Sequence, residues 1–227
     1  NKNGEVPFSP EIIEDENILL SAKIWKIKFV DHKAKKIEVI PTRDGKKPMF
    51  FGSSGAIHQR IREKMVEVLY SKTDYDFLDQ PSCDEIGILR KKFSVFNIKD
   101  LQSERPLLSS EKNLQLFTFT GTRINRTIQL LLNIAGIKNK LEDISSSFDI
   151  EVPKKEVTSK WNSISLPLAN IDSHISKLLG SNPALLDFSK WGIYLPENYK
   201  VKLIKDKYFD IEQTKEFLTN IKLVENK

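Results

Sequence analysis

The chain has 227 residues, 39% of them hydrophobic, and is long and apolar enough to bury a core as one large domain or two small ones. Lysine and arginine outnumber aspartate and glutamate by 36 to 31, an excess too small to indicate a nucleic-acid partner by itself. The single cysteine, Cys83, excludes an intrachain disulfide framework and favours a cytoplasmic protein. The sequence has no long apolar run and no leader, which predicts that it has no membrane partner.

Charge is distributed unevenly along the chain. Residues 23 to 72 contain thirteen lysines or arginines and five acidic residues, whereas residues 1 to 22 contain five acidic residues and one lysine. Residues 1–18 are polar and proline-containing, which predicts a linker or entering segment. Because the chain begins at Asn1 without a methionine, we expect it to be a fragment of a longer protein.

Residues 19–112 are predicted to form a basic hairpin or barrel-like unit with two helices. Leu19 to Val30 alternates apolar and basic side chains, and a partner strand follows near Ile37 to Ile40. A third strand is expected around Met49 to Phe51. Helical spacing then begins at residue 57, and Ser82 with Glu85 resembles a capping box for a second helix. Residues 97–112, which include Pro106, are expected to be a polar connector.

Residues 113–227 are predicted to form a strand-turn-helix followed by further helices. The strand ends at Thr120, Gly121 permits the turn, and Thr122 caps a helix that ends near Gly136. A strand is expected over residues 147–152 and a helix ending at Gly180, and Pro196 and Asp210 mark the starts of two more helices. The predicted class is α+β, a small antiparallel sheet or barrel-like unit with packed helices, then a mainly helical part. The two units could also form one continuous domain.

The strand-turn-helix FTFTGTRINRTIQLLL at residues 117–132 is the strongest candidate site. A helix N-terminus is electropositive and offers amide N–H groups, so Arg123, Asn125 and Arg126 in its first turn favour a polyanion such as a nucleic-acid backbone. An ordinary junction with solvated arginines is the alternative.

The same stretch resembles the W-T-F-A-G-G-R-A-N-x-T-L motif in the C-terminal half of large helicase-related (Lhr-like) helicases of superfamily 2. Segments 25–52, 147–152 and 191–210 are similar, in the same order, to that family's hairpin region, N-D-Y-G-L-x-L strand and closing segment. The chain departs from the motif at Phe117, where the family has tryptophan, and at Thr122, where the family has a second glycine.

The resemblance implies an accessory C-terminal region of an ATP-dependent DNA helicase, which guides the translocating strand. Its partners would be single-stranded or duplex DNA, with RNA as an alternative, and upstream motor domains that bind ATP and Mg²⁺. Asn125 is expected to be a polar contact or a turn stabiliser, and Trp161 to stack on a base or to pack. The cations expected at phosphates are Lys23, Lys26, Lys28, Arg43, Lys46, Lys47, Arg123 and Arg126.

The sequence lacks the signatures of catalysis. No G-x-x-x-x-G-K-S/T loop is present, so the chain alone is not expected to hydrolyse ATP or to be an enzyme. His32, His58 and His174 are scattered, which predicts no metal site and no cofactor in this chain. The modest net charge and the many apolar helices leave a second hypothesis open, a structural or protein-interaction module that docks on the motor without touching nucleic acid.

Overall fold

A computed structural model of the chain describes residues 4–5, 14–31, 34–46, 55–110, 113–151, 154–161 and 163–226. The chain divides into two compact units, Asn1–Gly55 and Ala56–Lys227. Strands and helices are both abundant, in a three-stranded sheet and a five-stranded sheet with packed helices, which confirms the predicted α+β class. Both sheets are open within the described residues, so a sheet is observed and not a barrel.

The first unit is an antiparallel sheet of three strands in the order β1 (Asn17–Leu20), β2 (Lys23–Asp31) and β3 (Lys36–Pro41). Strand β1 lies at the end of the segment predicted to be a linker. The acidic residues before it also form backbone hydrogen bonds with β2. The Asp15 amide donates to the Ile27 carbonyl at 2.9 Å, and the Ile27 amide donates to the Glu16 carbonyl at 2.8 Å. The predicted third strand at Met49 to Phe51 lies outside the described residues.

A bulge in β2 changes which side chains face the small core. Before the bulge Trp25 and Ile27 face the core, and after it Val30 does, because the register shifts between Ile27 and Phe29. Lys28 is the extra residue, and Phe29 is left 50% exposed. Strict alternation in the sequence would have placed Phe29 on the same face as Ile27.

The second unit is a five-stranded mixed sheet covered by helices. The strand order is β6-β7-β5-β4-β8, in which β8 runs parallel to β4 and the other pairs are antiparallel. The elements are α1 (Gln59–Tyr70), α2 (Gln80–Phe93), β4 (Glu104–Ser109), β5 (Leu114–Phe117), α3 (Thr122–Ile134), β6 (Asn139–Glu142), β7 (Ser147–Ile150), α4 (Lys154–Trp161), α5 (Ile171–Ser181), α6 (Glu197–Tyr208), α7 (Ile211–Asn220) and β8 (Lys222–Glu225).

Helix α3 is the centre of the core of the second unit. Its side chains Ile128, Leu131 and Leu132 have no exposed surface, and they belong to one apolar cluster with Phe148 of β7 and Ile204 of α6. The apolar spacing that predicted this helix therefore marks its buried face.

Helices α1 and α2 belong to this second unit, so the structure divides at Gly55 and not near residue 112. Phe93 of α2 packs its ring against Phe117 and Phe119, with centroids 5.0 Å and 5.7 Å away. Arg62 of α1 donates to the carbonyl groups of the turn between β6 and β7. These contacts join elements far apart in sequence, which the local pattern did not reveal.

Several local predictions differ from the structure. The connector predicted at 97–112 contains β4, which includes Pro106; the missing amide is tolerated because the antiparallel pairing with β5 begins only at Leu107. Strands β6 and β8 were not predicted. Asp79 caps α2, in place of Ser82, and α5 continues through Gly180 to Ser181. The cap at Asp210 is confirmed, because its carboxylate accepts from the Gln213 amide at 3.2 Å.

Candidate nucleic-acid interface

Asn125 lies in a closed polar network beneath the strand-turn-helix. Its side-chain oxygen accepts from the hydroxyls of Thr118 at 2.6 Å and Thr120 at 2.9 Å. Its amide nitrogen donates to the Ser146 hydroxyl at 2.9 Å and to the Thr120 carbonyl at 3.3 Å. All four residues are 0% exposed. Of the two expectations for Asn125, stabilisation of the turn is therefore what its contacts show, and the side chain presents no surface to a ligand.

The N-terminus of α3 is covered by the protein itself. The Gly121 amide donates to the Gln59 side-chain oxygen at 2.7 Å, and the Thr122 amide donates to the Ile57 carbonyl at 3.0 Å. Thr122 is the first helical residue and not the cap that the sequence predicted, and its hydroxyl donates to the Asp143 carboxylate at 2.9 Å. A carboxylate of the chain thus occupies the place predicted for a phosphate.

Arg62 holds the turn that carries Asp143. The guanidinium is 1% exposed and donates to the Asp143 carbonyl and, at 2.5 Å, to the Ile144 carbonyl. Burial lowers the pKa of Arg62, and the Asp143 carboxylate, 3.7 Å away, opposes that shift. The buried cation therefore positions the anion at the start of α3.

Arg123 and Arg126 of α3 are half-buried, and both side chains contact residues at the C-terminal end of α6. Arg123 donates to the Phe209 carbonyl from Nε at 3.0 Å and from Nη2 at 2.5 Å. The Arg126 guanidinium lies over the Tyr208 ring, 5.4 Å from its centroid. Both side chains are already engaged, Arg123 with a carbonyl left unpaired by a helix end and Arg126 with an aromatic face.

The basic residues of the first unit are spread over both faces of the small sheet. The register pairs Leu20 with Lys23 and Ile18 with Trp25, so Lys23 lies on the Trp25 face and Lys26 lies on the opposite face. Lys26 forms an ion pair of 3.2 Å with Asp15, whereas Lys28 projects from the bulge and is exposed. The acidic segment before β1 thus neutralises part of the basic strand.

The remaining predicted cations of this unit lie in the chain after β3. Arg43 is exposed, and the Lys46 ammonium donates to the Asp15 carbonyl at 3.4 Å. Lys47 lies outside the described residues. Asp44 beside them is held by Asn17, whose amide donates to its carboxylate at 2.6 Å and lowers the pKa of Asp44.

The tryptophans divide into packed and exposed ones. Trp25 packs on Ile18 and Ile27 and donates to the Leu20 carbonyl at 3.2 Å, and Trp161, the candidate for stacking, packs against the main core. Trp191, in contrast, is 64% exposed. Trp191 lies in the segment FSKWGIY at residues 188–194, where aromatic residues and a lysine stand close together in the sequence. That spacing was the sequence signal for an exposed aromatic surface.

No cluster of metal-ligating side chains is present in the described part of the chain. Two concave regions of the second unit are lined by residues of mixed charge, one around Glu63 and Arg105 and the other around Asp172 and Lys205. In the second region the Lys205 ammonium pairs with the Asp172 carboxylate at 2.7 Å. The Lys205 cation in this region therefore faces a carboxylate of the same chain.

Comparison of the chain with protein-family models, with curated proteins and with solved structures gives no match. None of the described helices is long and apolar enough to cross a membrane. The geometry offers exposed cations and exposed aromatic rings, whereas Arg123 and Arg126 are engaged within the chain.

Proposed function

We propose that this chain is an accessory, nucleic-acid-contacting region of an ATP-dependent helicase and that ATP is hydrolysed by motor domains outside this sequence. The observation that carries the nucleic-acid part is a set of exposed cations of the first unit that form no ion pair with the described residues. These cations are Lys23, Lys28, Lys36 and Arg43.

Uncompensated cations bind phosphates more effectively than paired ones. A lysine that neutralises a phosphate releases a condensed counterion, and this release drives binding. Lys26 would have to give up Asp15 first, so its contribution is smaller than that of Lys28. The β-bulge supports the proposal because it leaves the Phe29 ring exposed next to the exposed Lys28.

The helicase part of the proposal is supported by the ordered sequence resemblance alone. In this proposal Arg123 and Asn125 have a structural role, because their polar atoms bind groups of the same chain. The coding sequence next to this chain should then contain a phosphate loop and a D-E-x-H motif; a neighbouring sequence with neither would refute the helicase part and leave nucleic-acid contact untouched.

A salt titration tests the contact itself. Fluorescence anisotropy with labelled single-stranded and duplex DNA should give an affinity that falls as salt rises. The variant K23Q/K28Q/K36Q/R43Q should lower the slope of log K against log salt by up to about 3 on a single strand, because each phosphate contact contributes about 0.7. The control K91Q/K92Q/K99Q/K215Q removes the same charge from exposed positions elsewhere. Equal slopes in the two variants would contradict the proposal.

A second candidate, the protein-interaction module, is favoured by the face of the small sheet that lies opposite its own core. Leu19 and Ile24 are directly paired there, and with Phe29 and Ile40 they are between 37% and 50% exposed. Apolar side chains on an exposed sheet face are typical of a surface that meets another protein. In this case the chain should show no salt-dependent affinity for either form of DNA.

A further inference from the structure

The segment between α5 and α6 presents an exposed surface of aromatic rings and lysines. Trp191 is 64% exposed, Tyr194 is 74% exposed and Phe188 is 42% exposed. Large aromatic side chains usually bury most of their surface, so a group of three exposed rings in one short segment indicates a ligand or a partner.

This segment has a defined backbone. Its turns are closed by hydrogen bonds from the Ser189 amide to the Leu186 carbonyl at 2.9 Å and from the Gly192 amide to the Ser189 carbonyl at 3.1 Å. Leu186 is 3% exposed and anchors the segment in the main core. Gly192 is packed so closely that a Cβ there would lie 3.0 Å from the Ser189 side chain. The rings are therefore displayed from a fixed support, which reduces the entropy lost on binding.

Cations lie directly over these rings. The Lys190 ammonium is 5.0 Å from the centroid of Trp191, whose ring is 6.2 Å from that of Tyr194. The Lys207 ammonium is 5.2 Å from the centroid of Phe188. Each cation thus stands beside an aromatic face, which is the combination that binds a phosphate next to a stacked base.

The surface also continues to the strand-turn-helix. The Phe188 and Tyr208 rings form a T-shaped pair with centroids 5.7 Å apart and planes at 83°, and the Arg126 guanidinium lies over the Tyr208 ring, 5.4 Å from its centroid. The adjoining rings of Tyr208 and Phe188 therefore lie between two cations, Arg126 and Lys207. Arg126 takes part in this surface through an aromatic side chain and not through the N-terminus of α3.

We propose that this cation–aromatic surface, formed by Phe188, Lys190, Trp191, Tyr194 and Lys207, is a stacking platform for the bases of a single-stranded nucleic acid. The proposal rests on the proposed function, since it assumes that the chain contacts nucleic acid, and it names the form that is bound. A duplex keeps its base faces stacked inside the helix, so it cannot use exposed rings without unstacking. Residues 187–208 carry five lysines and three acidic residues, a balance that complements phosphate.

The test is binding of the whole chain to labelled oligothymidine, oligouridine and duplex DNA. W191A/Y194A should weaken binding to both single strands roughly 5- to 100-fold, because a lost stacking contact has that effect on affinity. Its salt slope should not change, since no charge is removed, and duplex binding should stay at the wild-type level. K190Q/K207Q should instead lower the single-strand salt slope by roughly 1.4.

Two further variants separate stacking from a loss of folding. W191F keeps an aromatic face and should retain most of the single-strand affinity. Y75A/F77A is the matched control, because these two rings also lie together, 5.6 Å apart, on another part of the second unit. It should bind like the wild type, and circular dichroism should show all variants folded.

The outcomes distinguish the platform from the proposed function. If the wild type binds single strands with a salt dependence and W191A/Y194A binds equally well, the platform is wrong and the proposed function stands. If W191A/Y194A weakens binding to single strands and to duplex by the same factor, the surface does not select a single strand and the platform is also wrong. If the wild type binds no nucleic acid at any salt concentration, both proposals fail.

Discussion

The Thr118 hydroxyl donates a hydrogen bond of 2.6 Å to the side-chain oxygen of Asn125, which joins the end of β5 to the first turn of α3. Ser146 joins the same network from the turn between β6 and β7, and its hydroxyl donates to the Thr120 carbonyl at 3.1 Å. Three separate segments thus share one buried set of hydrogen bonds. Such a network fixes a local geometry because each unpaired buried group would be costly.

Asn125→Ala should destabilise the second unit by about 3 kcal/mol, because it leaves a cavity and removes the shared partner of two buried threonine hydroxyls. Urea unfolding followed by circular dichroism measures this free energy. Asn133→Ala is the control, since Asn133 is exposed on the same helix and accepts one hydrogen bond from Asn139. Its effect should stay below about 0.5 kcal/mol. Equal losses in the two variants would contradict the importance of the network.

Gly121→Ala should destabilise the protein by about 1 to 3 kcal/mol through overpacking. Gly121 has a φ of −64° that alanine accepts, but a Cβ there would lie 3.0 Å from the Gln59 nitrogen and 3.2 Å from the Ile57 carbonyl oxygen. Gly87→Ala is the matched control, because a Cβ at that position of α2 meets no atom within 4 Å. It should stabilise α2 by about 0.5 to 1 kcal/mol. Thermal unfolding of both variants checks the opposite signs.

The turn before α3 shows what the sequence could and could not predict. The apolar spacing of α3 and the end of the helix near Gly136 were predictable, because both depend on local preferences, and Gly136 indeed has a φ of 70°. The need for glycine at 121 was attributed to a permissive φ, whereas the positive φ of 48° is at Phe119. Glycine is required because residues 57–59 approach it, a tertiary contact that no local pattern contains.

The short strands and the arginines were unpredictable for the same reason. Strand β8 pairs in parallel with β4, and its first residue, Lys222, lies opposite Glu104, which is far away in sequence. Four residues with such a distant partner leave no local signal. Helical periodicity correctly leaves Arg123 and Arg126 off the most buried face of α3, yet α6 covers them. Only the packing of two helices decides whether those cations meet solvent.

Ala22→Gly should stabilise the first unit by about 0.5 to 1 kcal/mol. Ser21 and Ala22 form the two-residue turn between β1 and β2 with φ values of 51° and 59°, a conformation in which a Cβ is strained. Amide hydrogen exchange of β1 and β2 in the whole chain measures the change. Gly45→Ala supplies the reverse case, because Gly45 has a φ of 78° and alanine there should speed exchange in the same unit.

Arg123→Ala should cost about 1.5 to 3 kcal/mol of stability and leave the salt slope of nucleic-acid binding unchanged. The guanidinium is the donor to the Phe209 carbonyl at the end of α6, so its removal leaves that carbonyl without this charged partner. Lys202→Ala on the exposed side of α6 is the control for charge and should change stability by less than about 0.5 kcal/mol. A lower salt slope with full stability would show that Arg123 contacts phosphate instead.

Lowering the pH should reduce the stability of the loop before β4, at residues 99–103. The amides of Lys99, at 2.6 Å, and Asp100, at 3.2 Å, donate to the Glu104 carboxylate and lower its pKa, and the Ser103 hydroxyl and Gln102 amide lower the pKa of Asp100. A carboxyl whose pKa is lower in the folded chain stabilises it above the unfolded pKa, near 4, and this stabilisation is lost as the pH falls through the folded pKa.

Glu104→Gln should therefore flatten the fall in stability between about pH 5 and pH 3. The side chain holds the loop whose Leu101 carbonyl accepts from Arg105 at 2.9 Å, so exchange of the Arg105 amide is a local reporter besides the unfolding midpoint. Glu216→Gln removes an exposed carboxylate on α7 and should keep the wild-type acid dependence. If both variants follow the wild-type curve, the loop carboxylates contribute nothing to acid sensitivity, and other groups must account for it.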